Sequence, residues 1–227
     1  MSTAAQQAPN LLDPVQIQAP LLVFYSNLAF GAVFWYSRRM AAKLSIATYP
    51  EKVLKRKAGE AAATSEMRKL IPQMIQAMYE NDGIGLAAPQ IGISQRVIIV
   101  ETSQDPRAHK EDRKSGTPGK PALPAGRPLA FLNPKILSKS KETETAEEGC
   151  LSLPGIFVPI KRAQNIEVLC QTSKGDSVKI EASGLVARIF QHEIDHLQGT
   201  LIIDHLTPVK RFKLRNQLRE IAQQNKQ

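Results

Sequence analysis

The segment 191–196 contains the residues best suited to do chemistry. Its sequence, QHEIDH, places His192 and His196 four positions apart. On a helix, two such residues are offset by about 40° and about 6 Å, so both imidazoles can reach one ion. Glu193 stands beside the first histidine, where a carboxylate can take a proton from a coordinated water. The spacing therefore predicts a metal site on a helix with a general base next to it.

Two histidines do not complete such a site, because a catalytic metal usually has three protein ligands and an open position for water. Cys150 is one candidate for the third ligand, since it lies in EGCLSLPG, where glycine and Pro-Gly indicate a tight backbone path. Glu220, 24 residues after His196, is the candidate that an ordinary zinc peptidase would use. We disfavour Glu220 because it falls in a basic, solvated terminal helix, but both alternatives stay open at this point.

A third segment, GIGLAAPQIG at 83–92, is rich in small residues. Small residues allow a ligand or another backbone to approach closely. The segment lacks the lysine and hydroxyl residue of a phosphate-binding loop, and its glycines do not have the spacing of a dinucleotide fold. Gln90 could donate an amide N–H to a developing oxyanion.

Periodicity predicts the elements that must position these residues. Apolar residues at 67, 70, 71, 74, 75 and 78 predict a helix over 65–79, with a kink or late start at Pro72. The segment 184–198 is also helical in pattern, and a basic helix is expected over 207–227. Strands are predicted at 96–101, 129–137, 165–170 and 176–182, with Gly175 in the turn between the last two. The order of helix, strands and helix favours an α+β fold.

Composition sets broader limits on the class of protein. The 227 residues are 42% hydrophobic and 22% charged, which is typical of a globular chain. Two cysteines, Cys150 and Cys170, exclude a disulfide-rich secreted scaffold. Thirty basic residues against 21 acidic ones give a net charge of +9, so contact with a polyanion is worth considering. Six of the basic residues, against one Glu, lie in 207–227.

GIGLAAPQ, EGCLS and QHEIDH together resemble the three motifs of the peptide deformylase family. They occur in the family's order, and Cys150 and His192 are 42 residues apart, as in that family. The similarity runs from about Met40 to about Ala222, so 40–227 is expected to be the catalytic domain. The resemblance implies mixed and antiparallel sheets packed around a central metal-binding helix that carries HExxH, with a C-terminal helix. Residues 1–39 and a polar insertion at 103–128, expected to be a surface loop, lie outside the usual pattern.

The resemblance also implies a metal held by Cys150, His192 and His196, with water as the fourth ligand. Fe²⁺ is the family's usual physiological metal, and Zn²⁺, Ni²⁺ or Co²⁺ can occupy the site. The implied substrate is the N-terminal formyl group of new polypeptides that begin with formyl-methionine. Hydroxide attacks the formyl carbon, the Gln90 amide and the backbone N–H of Leu151 stabilise the oxyanion, and formate is released.

Glu193 is expected to pass the water proton to the leaving amine. Gly85 resembles the position whose backbone pairs with the substrate as an added strand. Ile84, Leu86 and Ile189, together with His192, are expected to form the wall of the methionine pocket. The chain departs from the family at Phe157, a position that is often Arg, although Arg162 is present. This departure removes the expectation of charge recognition there, near the far end of the substrate.

The first 39 residues differ from the rest of the chain. No charged side chain occurs from 14 to 37, and 21–36 reads LLVFYSNLAFGAVFWY. This run is shorter and more polar than a membrane span requires and has no basic residues before it. We favour an upstream extension that precedes a true start at Met40. A membrane-associating segment and a targeting signal are the alternatives.

Partners and location follow from the resemblance and the charge. The expected partners are nascent formyl-methionine polypeptides and the ribosome near its exit tunnel, with rRNA phosphates contacted by the basic C-terminal helix. We expect a monomer that does not bind DNA. The lack of a convincing transit peptide favours the bacterial cytoplasm over an organelle.

Two other functions compete with deformylation. An endopeptidase would take its third ligand downstream of His196. A basic ribosome- or RNA-binding protein with a structural metal would explain the net charge. It would leave Glu193 unexplained, since a structural site has no use for a base beside its ligand.

Overall fold

The structure, a computed structural model, describes residues 44–102 and 128–224. The predictions for 1–39 and for nearly all of the 103–128 insertion therefore lie outside the described residues. Four α-helices occur within these ranges, together with seven strands and three short 3-10 turns. The helices are α1 (Ser65–Glu80), α2 (Gly184–Leu197), α3 (Pro208–Lys213) and α4 (Arg215–Gln224).

The strands form two separate antiparallel sheets, in agreement with the predicted α+β class. The five-stranded sheet has the order β1-β2-β3-β6-β7, and β4 pairs with β5 alone. Sequence periodicity located β2, β3, β6 and β7 to within two residues but missed β1, β4 and β5. The strands are β1 (Gly85–Ala87), β2 (Val97–Glu101), β3 (Pro128–Lys139), β4 (Thr143–Gly149), β5 (Phe157–Ala163), β6 (Asn165–Gln171) and β7 (Ser177–Ser183).

Helix α1 runs from Ser65 through Pro72 to Glu80, so the predicted late start at Pro72 is wrong, and a kink there stays a prediction. The side chain of Thr64 caps the helix by accepting a hydrogen bond from the Met67 N–H. Pro72 lies on the exposed side, where water can satisfy the carbonyl that loses its partner. Met74 and Met78 on the opposite side are fully buried, and this packing outweighs the local cost of the proline.

Helix α2 lies in the interior, and its buried apolar residues belong to one hydrophobic cluster. Nine of its 14 residues are buried. Phe190 packs against Phe131 of β3 with ring centroids 5.1 Å apart. The five-stranded sheet covers this side of the helix, and β5 also contacts it. The helix is therefore held from several directions, which fixes the side chains that it carries.

The C-terminal segment differs from the single solvated helix that the sequence predicts. It forms α3 and α4, which are separated at Leu214. Leu218 and Ile221 of α4 are buried in the same hydrophobic cluster as Leu153 and Leu201, so this segment is part of the fold's core. Among the described residues, no helix is long and apolar enough to cross a membrane.

Gly199 follows the C-terminal end of α2 and lies against the turn Lys52–Lys55. A substitution at Gly199 can therefore test how tightly these two elements pack. Its φ is +75°, and a Cβ there would lie 2.7 Å from the carbonyl carbon and oxygen of Lys55. Gly155 is a matched control, because its φ is +74° but nothing lies within 4 Å of a Cβ. Gly155→Ala should lower the free energy of unfolding in urea by about 1 kcal/mol, from backbone strain alone. Gly199→Ala should lower it by about 3 kcal/mol, because the overlap adds to the strain. Equal losses of unfolding free energy in the two variants would show that a side chain at position 199 does not clash with the Lys55 backbone.

Candidate active site

Cys150, His192 and His196 bring three potential ligand atoms together. The two histidines lie one turn apart on α2, and Cys150 directly follows β4. The Cys150 Sγ atom is 3.3 Å from His196 Nε2, which is 3.2 Å from His192 Nε2. The three ligand atoms all lie within 4.8 Å of one another. The fold therefore brings the Cys150 thiol next to the histidine pair, although Cys150 and His192 are 42 residues apart in sequence.

The donor set fits a first-row divalent cation. Two imidazole nitrogens and one thiolate form a mixed set that suits Zn²⁺ or Fe²⁺, and three protein ligands leave a position open. Cys150 is half-buried, whereas His196 is buried. Glu220 is exposed on α4 and does not belong to this group, so the site differs from that of an ordinary zinc peptidase.

Glu193 is buried beside these residues. Among the described residues, its Oε2 atom has no hydrogen-bond partner. Burial raises the pKa of Glu193 to about 7, because a charged carboxylate is poorly solvated there. Gly85 of β1 makes room for the carboxyl group: a Cβ at that position would overlap Glu193 Oε1 and lie 2.8 Å from Ile189 Cγ2. The glycine in this segment thus allows strand and carboxyl to approach closely.

Gln90 directs its amide toward Cys150. It lies in the 3-10 turn Ala88–Ile91, and its Oε1 accepts a hydrogen bond from the Ala87 N–H at 2.8 Å. This bond turns Nε2 toward Ser152 Oγ at 3.3 Å and Cys150 Sγ at 3.7 Å. Leu151 follows Cys150 directly, so its backbone N–H belongs to the peptide group that joins it to the candidate ligand.

Glu148 holds the ring of His192 from behind. Its Oε2 atom lies 3.0 Å from His192 Nδ1 and 2.9 Å from Arg162 Nη2. Its Oε1 atom accepts from Arg162 Nε at 2.9 Å and from Arg188 Nη1 at 2.8 Å. Burial alone would raise the pKa of Glu148, but the hydrogen bonds from Arg162 and His192 outweigh it and hold the pKa well below its usual value. The carboxylate stays ionised and directs His192 Nε2 at the ligand group.

Two buried arginines connect Glu148 to the surrounding elements. Arg162 also donates to Asp195 Oδ2 at 2.6 Å, and that oxygen lies 2.7 Å from His205 Nε2. Arg188 donates to backbone carbonyl oxygens of β4 and β5, both at 2.9 Å. Sequence reasoning gave none of these residues a role in the site. The available signal was weak: an arginine at position 188, within the apolar pattern of α2.

One edge of β1 carries backbone groups that no neighbouring strand pairs with in the described sheet. Ile84 O accepts from Glu101 N at 2.9 Å, and Gly85 pairs with Val100 in antiparallel register. Since bonded and non-bonded pairs alternate in such a ladder, the N–H and C=O of Gly85 point away from β2. β1 is an edge strand, so these groups face an open side.

The predicted methionine pocket needs one correction. Ile84 and Ile189 belong to the hydrophobic cluster around α2. Leu86 is fully buried in the cluster beside α1 instead. Gly85 and Ala87 lie on the side of α2, whereas the side chain of Leu86 has no exposed surface and packs on the side of α1. Leu86 therefore cannot form a wall of this pocket with its side chain.

A buried carboxyl group beside a set of residues that could hold a metal ion, on an α+β scaffold, is typical of metal-dependent hydrolases. The family model for polypeptide deformylase matches residues 43–212. The peptide deformylase of Thermotoga maritima is 42% identical over 178 residues, which are 78% of this chain and 95% of that protein. That of Thermodesulfovibrio yellowstonii is 40% identical over 179 residues, 78% of this chain and 98% of that protein.

Solved structures agree with these matches. The peptide deformylase of Ehrlichia chaffeensis in complex with actinonin superimposes with a TM-score of 0.69 at 32% identity, covering 82% of this chain and all (100%) of that one. The chain belongs to the peptide deformylase family. It is a hydrolase of protein biosynthesis that removes the N-formyl group from nascent polypeptides.

The contact between Glu148 and His192 leads to a prediction about metal retention. Glu148→Gln should lower metal affinity and turnover by about 10- to 100-fold, because the amide cannot replace an ionised acceptor of four hydrogen bonds. Glu147→Gln is the matched control, since Glu147 is the exposed neighbour on the same strand. Metal per chain would be measured after dialysis against a chelator, together with deformylation of a formyl-methionine peptide. Equal metal retention in the two variants would contradict the role of Glu148.

Proposed function

We propose that Cys150, His192 and His196 bind one divalent cation beside helix α2, and that Glu193 is the proton carrier of deformylation. The convergence of the three ligand atoms within 4.8 Å carries this proposal. The proposed metal in the cell is Fe²⁺, and the same donor set accepts Zn²⁺, Ni²⁺ or Co²⁺. When bound, the cation would polarise the formyl carbonyl and increase the acidity of a water molecule.

Glu193 accepts the proton of the attacking water and delivers it to the nitrogen of the leaving amine. Its burial supports this role, because bulk water does not compete for the carboxyl oxygen there. The Glu193 carboxyl group lies next to Gly85, and so beside the edge of β1 at which a substrate would bind. The products are formate and a free amino terminus.

Gln90 Nε2 and the backbone N–H of Leu151 donate hydrogen bonds to the developing oxyanion. The bond from Ala87 N to Gln90 Oε1 supports this assignment, because it orients the amide before the substrate arrives. Each donor of this kind contributes about 3 kcal/mol to transition-state stabilisation in comparable sites.

The substrate peptide adds to the free edge of β1 at Gly85, as an extra strand. Its methionine side chain enters between Ile84 and Ile189, beside His192. Leu86 contributes its backbone alone. The catalytic domain is 40–227, with 1–39 as an extension and 103–128 as an insertion. The enzyme is a monomer of the bacterial cytoplasm, and its named bacterial relatives support that location.

Glu193→Gln tests the central assignment. The variant should keep its metal at the wild-type content, because the three ligands are unchanged, and should lose turnover by about 100- to 10,000-fold. Metal analysis and a deformylation assay would be run on the same preparation. Glu220→Gln is the control and should retain both properties. A Glu193→Gln enzyme that holds its metal and turns over at the wild-type rate would refute the assigned role. Loss of metal in Glu220→Gln would instead favour the peptidase-like ligand set.

We further propose that basic side chains of α3 and α4 contact ribosomal RNA. Deleting 207–227 would be a poor test, because Leu218 and Ile221 belong to the core. Replacing exposed cations by glutamine is cleaner. The proposed changes remove three positive charges: Lys210→Gln, Lys213→Gln and Arg219→Gln.

The triple variant should co-sediment more weakly with ribosomes at low salt, and its difference from wild type should shrink as salt rises. Turnover of a short peptide should change by less than about 2-fold, since surface substitutions of this kind barely affect stability. A control with the same charge change on and next to β3 should bind ribosomes like wild type: Lys135→Gln, Lys139→Gln and Lys141→Gln. Equal sedimentation of the two triple variants would remove the docking role from α3 and α4.

A further inference from the structure

We infer that the side-chain hydroxyl of Ser152 is a positioning group for deformylation, which fixes the amide of Gln90 so that one of its N–H groups points at the reacting carbonyl. The inference rests on the proposed role of Gln90 as an oxyanion donor. Ser152 has no exposed surface, so its hydroxyl is not a solvated surface group. Its Oγ atom lies 3.3 Å from Gln90 Nε2. A buried hydroxyl needs a polar partner, and the partner here belongs to the candidate active site.

The amide of Gln90 is planar, so two anchors determine the directions of all its hydrogen-bonding groups. The first anchor is the Ala87 N–H, which donates to Oε1 at 2.8 Å. This bond also identifies the oxygen end of the amide, because Nε2 in that place would face another donor. The second anchor is Ser152 Oγ, which accepts from one hydrogen of Nε2. The other hydrogen is left for the side of Cys150, whose Sγ lies 3.7 Å from Nε2.

The main chain holds both residues in place independently of a substrate. Ala47 N donates to Gln90 O at 2.7 Å, and Tyr49 N donates to Ser152 O at 3.0 Å. The short segment that contains both donors therefore ties the 3-10 turn of Gln90 to the residues that follow Cys150. With the two main chains fixed, the hydroxyl of Ser152 can set the rotation of the Gln90 amide.

Loss of the hydroxyl would leave one N–H of Gln90 Nε2 facing a methyl group in a buried place. A buried donor without a partner is costly, so the amide would rotate toward another acceptor, and Cys150 Sγ is within reach. That rotation would take the N–H away from the oxyanion, whose stabilisation depends on donors that are already aligned. The proposed contacts of the substrate with the edge of β1 would be unchanged. The loss should therefore appear in kcat rather than in KM.

Ser152→Ala tests the inference in the full-length, metal-loaded enzyme with a formyl-methionine peptide. Removal of a whole oxyanion donor lowers kcat by about 100- to 1000-fold in comparable sites, and misalignment of the donor should cost part of that. We expect kcat to fall by about 10-fold and KM to change by less than about 2-fold. Metal content should equal that of wild type, because the three candidate ligands are unchanged.

Ser140→Ala is the matched control, because it also removes a hydroxyl with hydrogen-bond partners. Ser140 Oγ accepts from Asn165 N at 3.1 Å and donates to Glu142 O at 2.8 Å. It precedes the start of β4, whereas Cys150 follows the end of that strand. Ser140→Ala should therefore leave kcat unchanged, whatever it does to stability.

A double-mutant cycle separates orientation of the amide from a purely structural role. In a Gln90→Leu background the amide is gone, so adding Ser152→Ala should lower kcat by less than about 2-fold. A loss of about 10-fold in both backgrounds would overturn the inference, because the hydroxyl would then act on something other than Gln90. A wild-type kcat in Ser152→Ala alone would overturn it as well.

Failure of the proposed function would look different from failure of the inference. Gln90→Leu alone should lower kcat by about 100-fold or more if Gln90 is an oxyanion donor. An unchanged kcat in Gln90→Leu would refute the role of Gln90, and the inference with it. A large loss in Gln90→Leu together with no effect of Ser152→Ala would refute only the positioning role of Ser152.

Discussion

The carboxylate of Glu148 is the group on which the rest of the site depends. It receives four hydrogen bonds, three from Arg162 and Arg188 and one at His192. A buried charge is costly unless it is paired and fully hydrogen-bonded, and here each oxygen has two donors. The same contacts connect β4, β5 and α2. The hydrogen bonds that satisfy the charge of Glu148 therefore also fix the positions of the candidate metal ligands relative to one another.

Much of the site could be predicted from sequence because its chemistry is local. His192, Glu193 and His196 lie within one and a half turns of a helix, so their spacing alone determines that they share a face. Cys150 was different: residue reasoning favoured it over Glu220 but left both open, and the ordered set of motifs was needed to choose it. Helix α2 and four of the strands were predicted because periodic sets or runs of apolar residues mark them in the sequence.

Several of the errors share a physical cause, which is that tertiary contacts outweigh local signals. Strand β4 (TETAEEG) has almost no apolar alternation, because its buried member is the paired carboxylate of Glu148 rather than a hydrophobic residue. Pro72 is tolerated because packing on the far side of α1 supplies more free energy than one lost hydrogen bond. The position of Leu86 depends on which cluster each face of β1 meets, and periodicity in a three-residue strand cannot reveal that.

The two faces of strand β4 meet different surroundings. The inner face of β4 carries the charge network that fixes His192, and a change there alters the candidate metal centre itself. The outer face of the same strand, one residue later, carries only the vacant position of Gly149 under the Phe157 ring. Because successive residues of a strand face opposite ways, this ring can be replaced without touching a single hydrogen bond of Glu148.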